Sequence, residues 1–223
     1  RAVRSKAVNF VPPKRQDHAD VIDPVVRIAD QTLGIVGFGR IGTATALKAR
    51  GLGLQVIAYD PYVYDAIIQS HGAIPVDFET LLQTADFVCI NADLNSETRR
   101  LFDHNAFAQM QSTAYLINTA RGEIVDETAL VEALAQGQIA GAGLDVTVED
   151  PLPLDSPLMT APNIILTGHS AWYSTAADSH AAFWHKAMEQ VVRALKGQWP
   201  YYVVNPDVQK RWLARWGNES LSD

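Results

Sequence analysis

The stretch Leu33-Gly34-Ile35-Val36-Gly37-Phe38-Gly39-Arg40-Ile41-Gly42 decides how the rest of the chain is read. A short apolar run enters three glycines spaced GxGxxG, and a segment containing Ile41, Ala44 and Leu47 follows as the start of a helix. Strand, tight turn and helix in that order are the context a dinucleotide fingerprint requires. Gly37 serves the tight turn, Gly39 lets backbone approach a pyrophosphate, and Gly42 permits close packing, while the amides of Arg40, Ile41 and Gly42 point at phosphate from the helix N-terminus.

Downstream, Gln55 to Tyr59 reads as the second strand, and Asp60 follows it 60 − 37 = 23 positions after the first glycine. A carboxylate at that offset accepts hydrogen bonds from both adenosine ribose hydroxyls and repels a 2′-phosphate, so NAD is favoured over NADP. The plainer reading makes the glycines an ordinary turn and Asp60 a loop cap.

Working outward, apolar runs alternate with amphipathic stretches, the pattern of an α/β fold with a doubly wound parallel sheet. Candidate strands are Leu33 to Val36, Gln55 to Tyr59, Phe87 to Ile90, Ala114 to Asn118, Ala142 to Val146 and Ile164 to Leu166. Asp126 is placed to cap a helix carrying Leu130, Val131 and Leu134 on one face, and Gly137 to end it. Residues 1–30, with two adjacent prolines, read as an irregular lead-in, and residues 31–173 as the dinucleotide domain. Trp184, Ala187, Met188, Val191 and Leu195 recur at helical spacing within a segment, 174–205, that returns toward another structural unit, and residues 206–223 read as a tail.

Composition removes other classes. The 223 residues carry 18 Lys plus Arg against 25 Asp plus Glu, a net charge of −7, and this is a poor field for nucleic acid or an anionic membrane surface. No apolar stretch nears the roughly 20 residues that span a bilayer, and no hydrophobic signal core follows Arg1. Cys89, the single cysteine, excludes an intrachain disulfide and a zinc site built from cysteines, which fits a reducing cytoplasm; no metal is expected. Arg1 rather than Met stands first, which suggests a piece of something longer.

Three further stretches carry chemistry. Asn118-Thr119-Ala120-Arg121-Gly122 leaves a strand at its carboxyl end, where ligands of open parallel sheets bind, and the Arg121 guanidinium there suits a carboxylate and an adjacent carbonyl. From spacing alone, Arg121 reads as readily as a solvated surface arginine. Gly143-Leu144-Asp145-Val146, with Glu149-Asp150-Pro151 after it, puts acids at a strand end and in the next loop, where solvated turn residues are also common. Thr167-Gly168-His169-Ser170-Ala171-Trp172 places an imidazole at a strand exit, the natural group for moving a proton near neutral pH. His18, His71, His104, His180 and His185 lack that setting and read as surface or packing residues.

Together these motifs resemble the nucleotide-binding half of the D-isomer-specific 2-hydroxyacid dehydrogenase family from about Ile28 to Asn205. Tyr59-Asp60-Pro61-Tyr62, Pro151-Leu152-Pro153 and Pro162-Asn163-Ile164 add to the resemblance, and His169-Ser170-Ala171-Trp172-Tyr173-Ser174 with Asp60-Pro61-Tyr62 is most similar to the branch containing the C-terminal-binding-protein corepressors and their bacterial dehydrogenase relatives. The resemblance implies NAD as cofactor, a small 2-keto or 2-hydroxy acid as substrate, and a homodimer formed through nucleotide domains. It implies that Arg121 binds and polarises the keto acid, that His169 is the acid/base, and that an acidic residue after Val146, Asp150 or Glu149, pairs with His169. Cofactor contacts are implied for Gly37, Gly39, Arg40, Ile41, Gly42 and Asp60, for Ala92, Asp93, Leu94 and Thr98, for Thr119 to Arg121, for Asp145 on the nicotinamide carboxamide, and for His169, Ala171 and Trp172. Trp172 would also wall the substrate pocket, against a plainer reading as a half-buried packing aromatic.

The chain departs from the family pattern in three ways. Asp150 stands where the family has Glu, one methylene shorter. Gly168 stands where it has Pro. The substrate domain that the family places ahead of the nucleotide domain is expected to be largely absent, which leaves Trp184, Met188, Val191 and Leu195 uncovered. The corepressor-like motifs imply an alternative as well, a non-catalytic protein whose NAD(H) occupancy sets an interaction surface.

Overall fold

The computed structural model describes residues 27–171 and 177–217, without the side chains of 177–183. The lead-in over residues 1–26, His18, the His180 side chain and Trp172, all read from the sequence above, lie outside the described residues. Two compact units are present, one ending at His169 and the other beginning at Ser170.

In the first unit β1 (Thr32–Val36), α1 (Arg40–Gly51), β2 (Gln55–Tyr59), α2 (Asp65–Ser70) and β3 (Ile74–Pro75) are followed by α3 (Phe78–Thr84), β4 (Phe87–Ile90) and α4 (His104–Gln109). Then come β5 (Tyr115–Asn118), α5 (Glu127–Gln136), β6 (Gly141–Leu144) and β7 (Ile164–Leu166). The seven strands are parallel in the order β3-β2-β1-β4-β5-β6-β7. The order reverses between β1 and β4, so a crevice opens beyond their carboxyl ends.

β1 is buried on both faces because its residues alternate between two cores. Leu33 and Ile35 pack with Ala46 and Ala49 of α1, while Val36 joins Leu81, Leu82, Phe102, Phe107, Leu116 and Leu130 on the other side. Gly34 is where α3 crosses closest, since a Cβ there would lie 2.8 Å from Leu81.

α1 lies close to the sheet through Gly42, Ala46 and Ala49, whereas Ile41, Ala44 and Leu47 face solvent. Small residues make the inner face because backbone approaches backbone there. α5 forms as expected: Asp126 accepts hydrogen bonds from the Thr128 and Ala129 amides, and Gly137 ends the helix in the left-handed region. β6 ends at Leu144 rather than Val146, and β3, α2, α3 and α4 are elements that the sequence pattern did not mark.

The second unit contains α6 (Ala177–Leu195) and α7 (Gln209–Trp216), the latter within residues read as a tail. The Arg193 guanidinium donates to the Trp199 carbonyl at 3.1 Å and lies 3.7 Å from the Tyr201 ring centre, which closes the chain back onto α6. Trp184, Met188, Val191 and Leu195 are exposed, as the sequence led one to expect. Among the described residues no helix is long and apolar enough to cross a membrane.

Candidate functional site

The crevice at the β1/β4 switch holds a cleft of about 500 Å³. Three loops line it: Gly37 to Ile41 after β1, Asp60 to Val63 after β2, and Asn91 to Thr98 after β4. Sheet pairing sets their relative heights, since Val36 sits beside both Tyr59 and Ile90.

Each glycine of the turn has a separate reason. Gly37 has φ of +92°, and a Cβ there would lie 2.5 Å from the Ala92 amide nitrogen, so both backbone conformation and close approach demand glycine. A Cβ at Gly42 would lie 2.2 Å from the Gly37 carbonyl oxygen. Gly39 differs, because a Cβ there would meet nothing within 4 Å. No side chain caps α1 at Gly39 either. The protein thus keeps a bare helix N-terminus with open space before it, which fits the pyrophosphate of a dinucleotide.

Asp60 is fixed in the same network. One carboxylate oxygen accepts from the Phe38 amide at 2.8 Å and the other from the Tyr62 amide at 2.9 Å. It therefore ties the glycine turn to the end of β2 while each oxygen retains capacity for a second donor, as a ribose requires. On the opposite lip Thr98 is turned inward on its own loop: its hydroxyl donates to the Asp93 carbonyl and accepts from the Asn95 amide, at 2.6 and 2.8 Å. Ala92, Asp93 and Thr98 line the cleft, and Leu94 packs against the larger core beside it.

The remaining candidates stand along the same sheet edge, on the loops after β5, β6 and β7. Buried Asn118 organises the first loop, accepting from the Ala120 amide at 3.0 Å and donating to the Arg121 carbonyl at 2.9 Å. Its role was not assigned from sequence, although the Asn-to-Arg spacing held the signal. Gly122 allows this loop to meet the next, since a Cβ would lie 2.1 Å from the Thr147 carbonyl carbon. Thr119 and Arg121 are exposed, and the Arg121 guanidinium donates to the Ala120 carbonyl at 2.6 Å.

Asp145 is buried, and its carboxylate accepts from the Thr167 hydroxyl. Its carbonyl accepts from the His169 amide at 2.8 Å, which pins the β7 exit to the end of β6. His169 takes a φ of +51°, and its Nδ1 lies 2.7 Å from a carboxylate oxygen of Asp150. The shorter Asp side chain thus reaches the imidazole, and of the two acids Asp150, not Glu149, makes this contact; Glu149 offers its carbonyl to the Thr147 hydroxyl instead. Ala171 is exposed and belongs to the second unit.

Of the other described histidines, His185 is exposed on α6 and two are engaged elsewhere. His71 packs edge-on to Phe38, and His104 pairs with Glu132 at 3.0 Å. Burial pushes the Cys89 thiol up, so it is a packing residue of β4.

A family model described as D-isomer specific 2-hydroxyacid dehydrogenase, NAD binding domain, matches residues 8–171, which takes in most of the stretch read as a lead-in. A glyoxylate reductase of Korarchaeum cryptofilum is 38% identical over 180 residues, 81% of this chain and 54% of that protein. The glyoxylate/hydroxypyruvate reductase B of Citrobacter koseri is 42% identical over 181 residues, covering 80% of this chain and 55% of that one. Among solved structures, the D-lactate dehydrogenase of Lactobacillus jensenii with NAD+ superposes with a TM-score of 0.76 at 30% identity, over 91% of this chain and 62% of that one. The chain spans about half the length of the curated relatives it matches. These are reductases and dehydrogenases, and none of the three bears out the corepressor-like branch or its non-catalytic alternative.

Proposed function

Since the chain belongs to the D-isomer specific 2-hydroxyacid dehydrogenase family, as its NAD-binding domain, we propose that the protein carrying it reduces a small 2-keto acid with NADH. The observation that carries this reading is the contact between His169 and Asp150, at the sheet edge that also bears the glycine turn. NADH, when bound, supplies the hydride. Asp60 takes the ribose hydroxyls, the first-turn amides of α1 take the pyrophosphate, and Asp145 receives the nicotinamide carboxamide. Arg121 grips the substrate carboxylate and draws charge onto the keto oxygen. Asp150 engages Nδ1 of His169, so Nε2 is the nitrogen that delivers the proton to that oxygen.

The test is NADH oxidation by the protein containing this chain, with glyoxylate, hydroxypyruvate and pyruvate offered in turn. Turnover with at least one of them is expected, and Arg121→Ala should raise KM for the acid about tenfold or more while NADH affinity holds. No oxidation with any small 2-keto acid, despite saturable NADH binding, would remove the reaction and leave the cofactor site.

The reading extends to assembly and compartment. A homodimer through the nucleotide domain is supported by the exposed apolar residues Leu47 and Leu52 on and just after α1. Sedimentation equilibrium should give twice the chain mass at micromolar concentration; a monomer there would defeat the dimer. A reducing cytoplasm is supported by the single, unpaired cysteine.

A further inference from the structure

Within the cleft, one contact spans two lips that sheet pairing does not join. Tyr62, after β2, donates its hydroxyl to the Glu97 carboxylate in the loop after β4. Both ends are held. The Tyr62 amide is fixed on Asp60, and the Glu97 amide donates to Asn95 Oδ1 at 2.8 Å. A continuous path therefore runs from the Phe38 amide through Asp60 and Tyr62 to Glu97.

The charges on this path are lopsided. Asp60, Asp93 and Glu97 line the cleft against Arg40 alone among its lining residues. A dinucleotide's pyrophosphate meets the amides at Gly39, but its adenosine ribose meets the acidic side. We propose that Glu97, held at the cleft mouth by Tyr62, is a second specificity-determining carboxylate that excludes a 2′-phosphate in addition to Asp60. The inference rests on the NAD reading of the cleft and adds a residue to it.

Tyr62 is bonded to Asp60 through its amide and to Glu97 through its hydroxyl, so at most a tyrosine and two hydrogen bonds separate the two carboxylates, a span comparable to the ~10 Å screening length at 0.1 M salt. A doubly charged phosphate placed at Asp60 feels Glu97 at that range, whereas the ribose hydroxyls of NADH carry no charge to repel. The hydrogen bond from Tyr62 holds the exposed carboxylate at the cleft mouth. The Tyr62 hydroxyl is raised above its ordinary value, first by the bond to Glu97, then by desolvation and by the charges of Glu97, Tyr59 and Asp60.

Fluorescence titration of the chain with NADH and NADPH, at low and physiological salt, reads the ratio of their Kd values. Glu97→Gln should lower that ratio about three- to tenfold at low salt and less at physiological salt, with NADH affinity changed less than about twofold. Tyr62→Phe, which frees the carboxylate without removing it, should lower it by a smaller factor. An unchanged ratio in Glu97→Gln, with Asp60→Ala lowering it, would overturn the role of Glu97 and leave the NAD reading standing. A ratio near one in the unsubstituted chain would overturn both.

Discussion

The nucleotide end of the sheet and its acid/base end are built differently. At β1, β2 and β4 the loops enclose a cleft, the first two tied together by Asp60 and the third reached from Tyr62 through Glu97, with Gly37 and Gly42 buried against backbone. At β5, β6 and β7 the backbone is fixed just as firmly through Asn118 and Asp145, yet the side chains proposed for chemistry are open. His169 and Asp150 keep 44% and 52% of their side-chain surface exposed. The first end holds its ligand with groups that are also structural, so damage there reaches the fold. The second displays groups that the fold does not need, so damage there should reach only the reaction.

The sharpest way to break this comparison is His169→Ala in the protein that carries the chain. Turnover should fall about 10²- to 10⁴-fold, the range of a lost general acid, while NADH affinity stays within about threefold. Near-normal turnover would take His169 out of the mechanism, and a collapse of NADH binding would show that the two ends are not separable.

Next in size is Gly37→Ala, which introduces both a clash with Ala92 and a left-handed backbone for a non-glycine residue. We expect about 2–4 kcal/mol less stability in urea unfolding and loss of NADH binding. Gly39→Ala sharpens the point because its added methyl meets no protein atom. It should cost no more than about 1 kcal/mol of stability, the difference between glycine and alanine as a cap, yet weaken NADH about tenfold by filling the pyrophosphate space. Equal behaviour of the two variants would mean that Gly39 is structural and the open space holds no ligand. Smallest of all, Asp150→Ala should shift stability by less than about 1 kcal/mol, as expected for an exposed pair, while lowering turnover.

The same division explains what the sequence made legible. Gln55 to Tyr59, Phe87 to Ile90 and Ile164 to Leu166 are strands over those residues because apolar runs bounded by turn formers mark a buried parallel sheet. β3 escaped notice because it has two residues, one of them Pro75. The helix after the glycine turn is legible, whereas apolar periodicity does not mark its inner face, because close approach to the sheet selects Gly42, Ala46 and Ala49 over larger side chains. Of the site, Asp60, Asp145 and His169 sit at strand exits, where topology alone assigns them a place. The choice of Asp150 over Glu149 and the path through Tyr62 to Glu97 depend on contacts 19 and 35 residues apart in sequence, which periodicity cannot register.

The most direct measurement of the central claim is an amide chemical-shift titration of the chain with NADH. The account predicts saturable shifts confined to Gly37 to Gly42, Asp60 to Val63, Asn91 to Thr98 and the strand exits at Thr119, Asp145 and His169. Shifts that fail to saturate, or that cluster away from the β1/β4 switch, would contradict it.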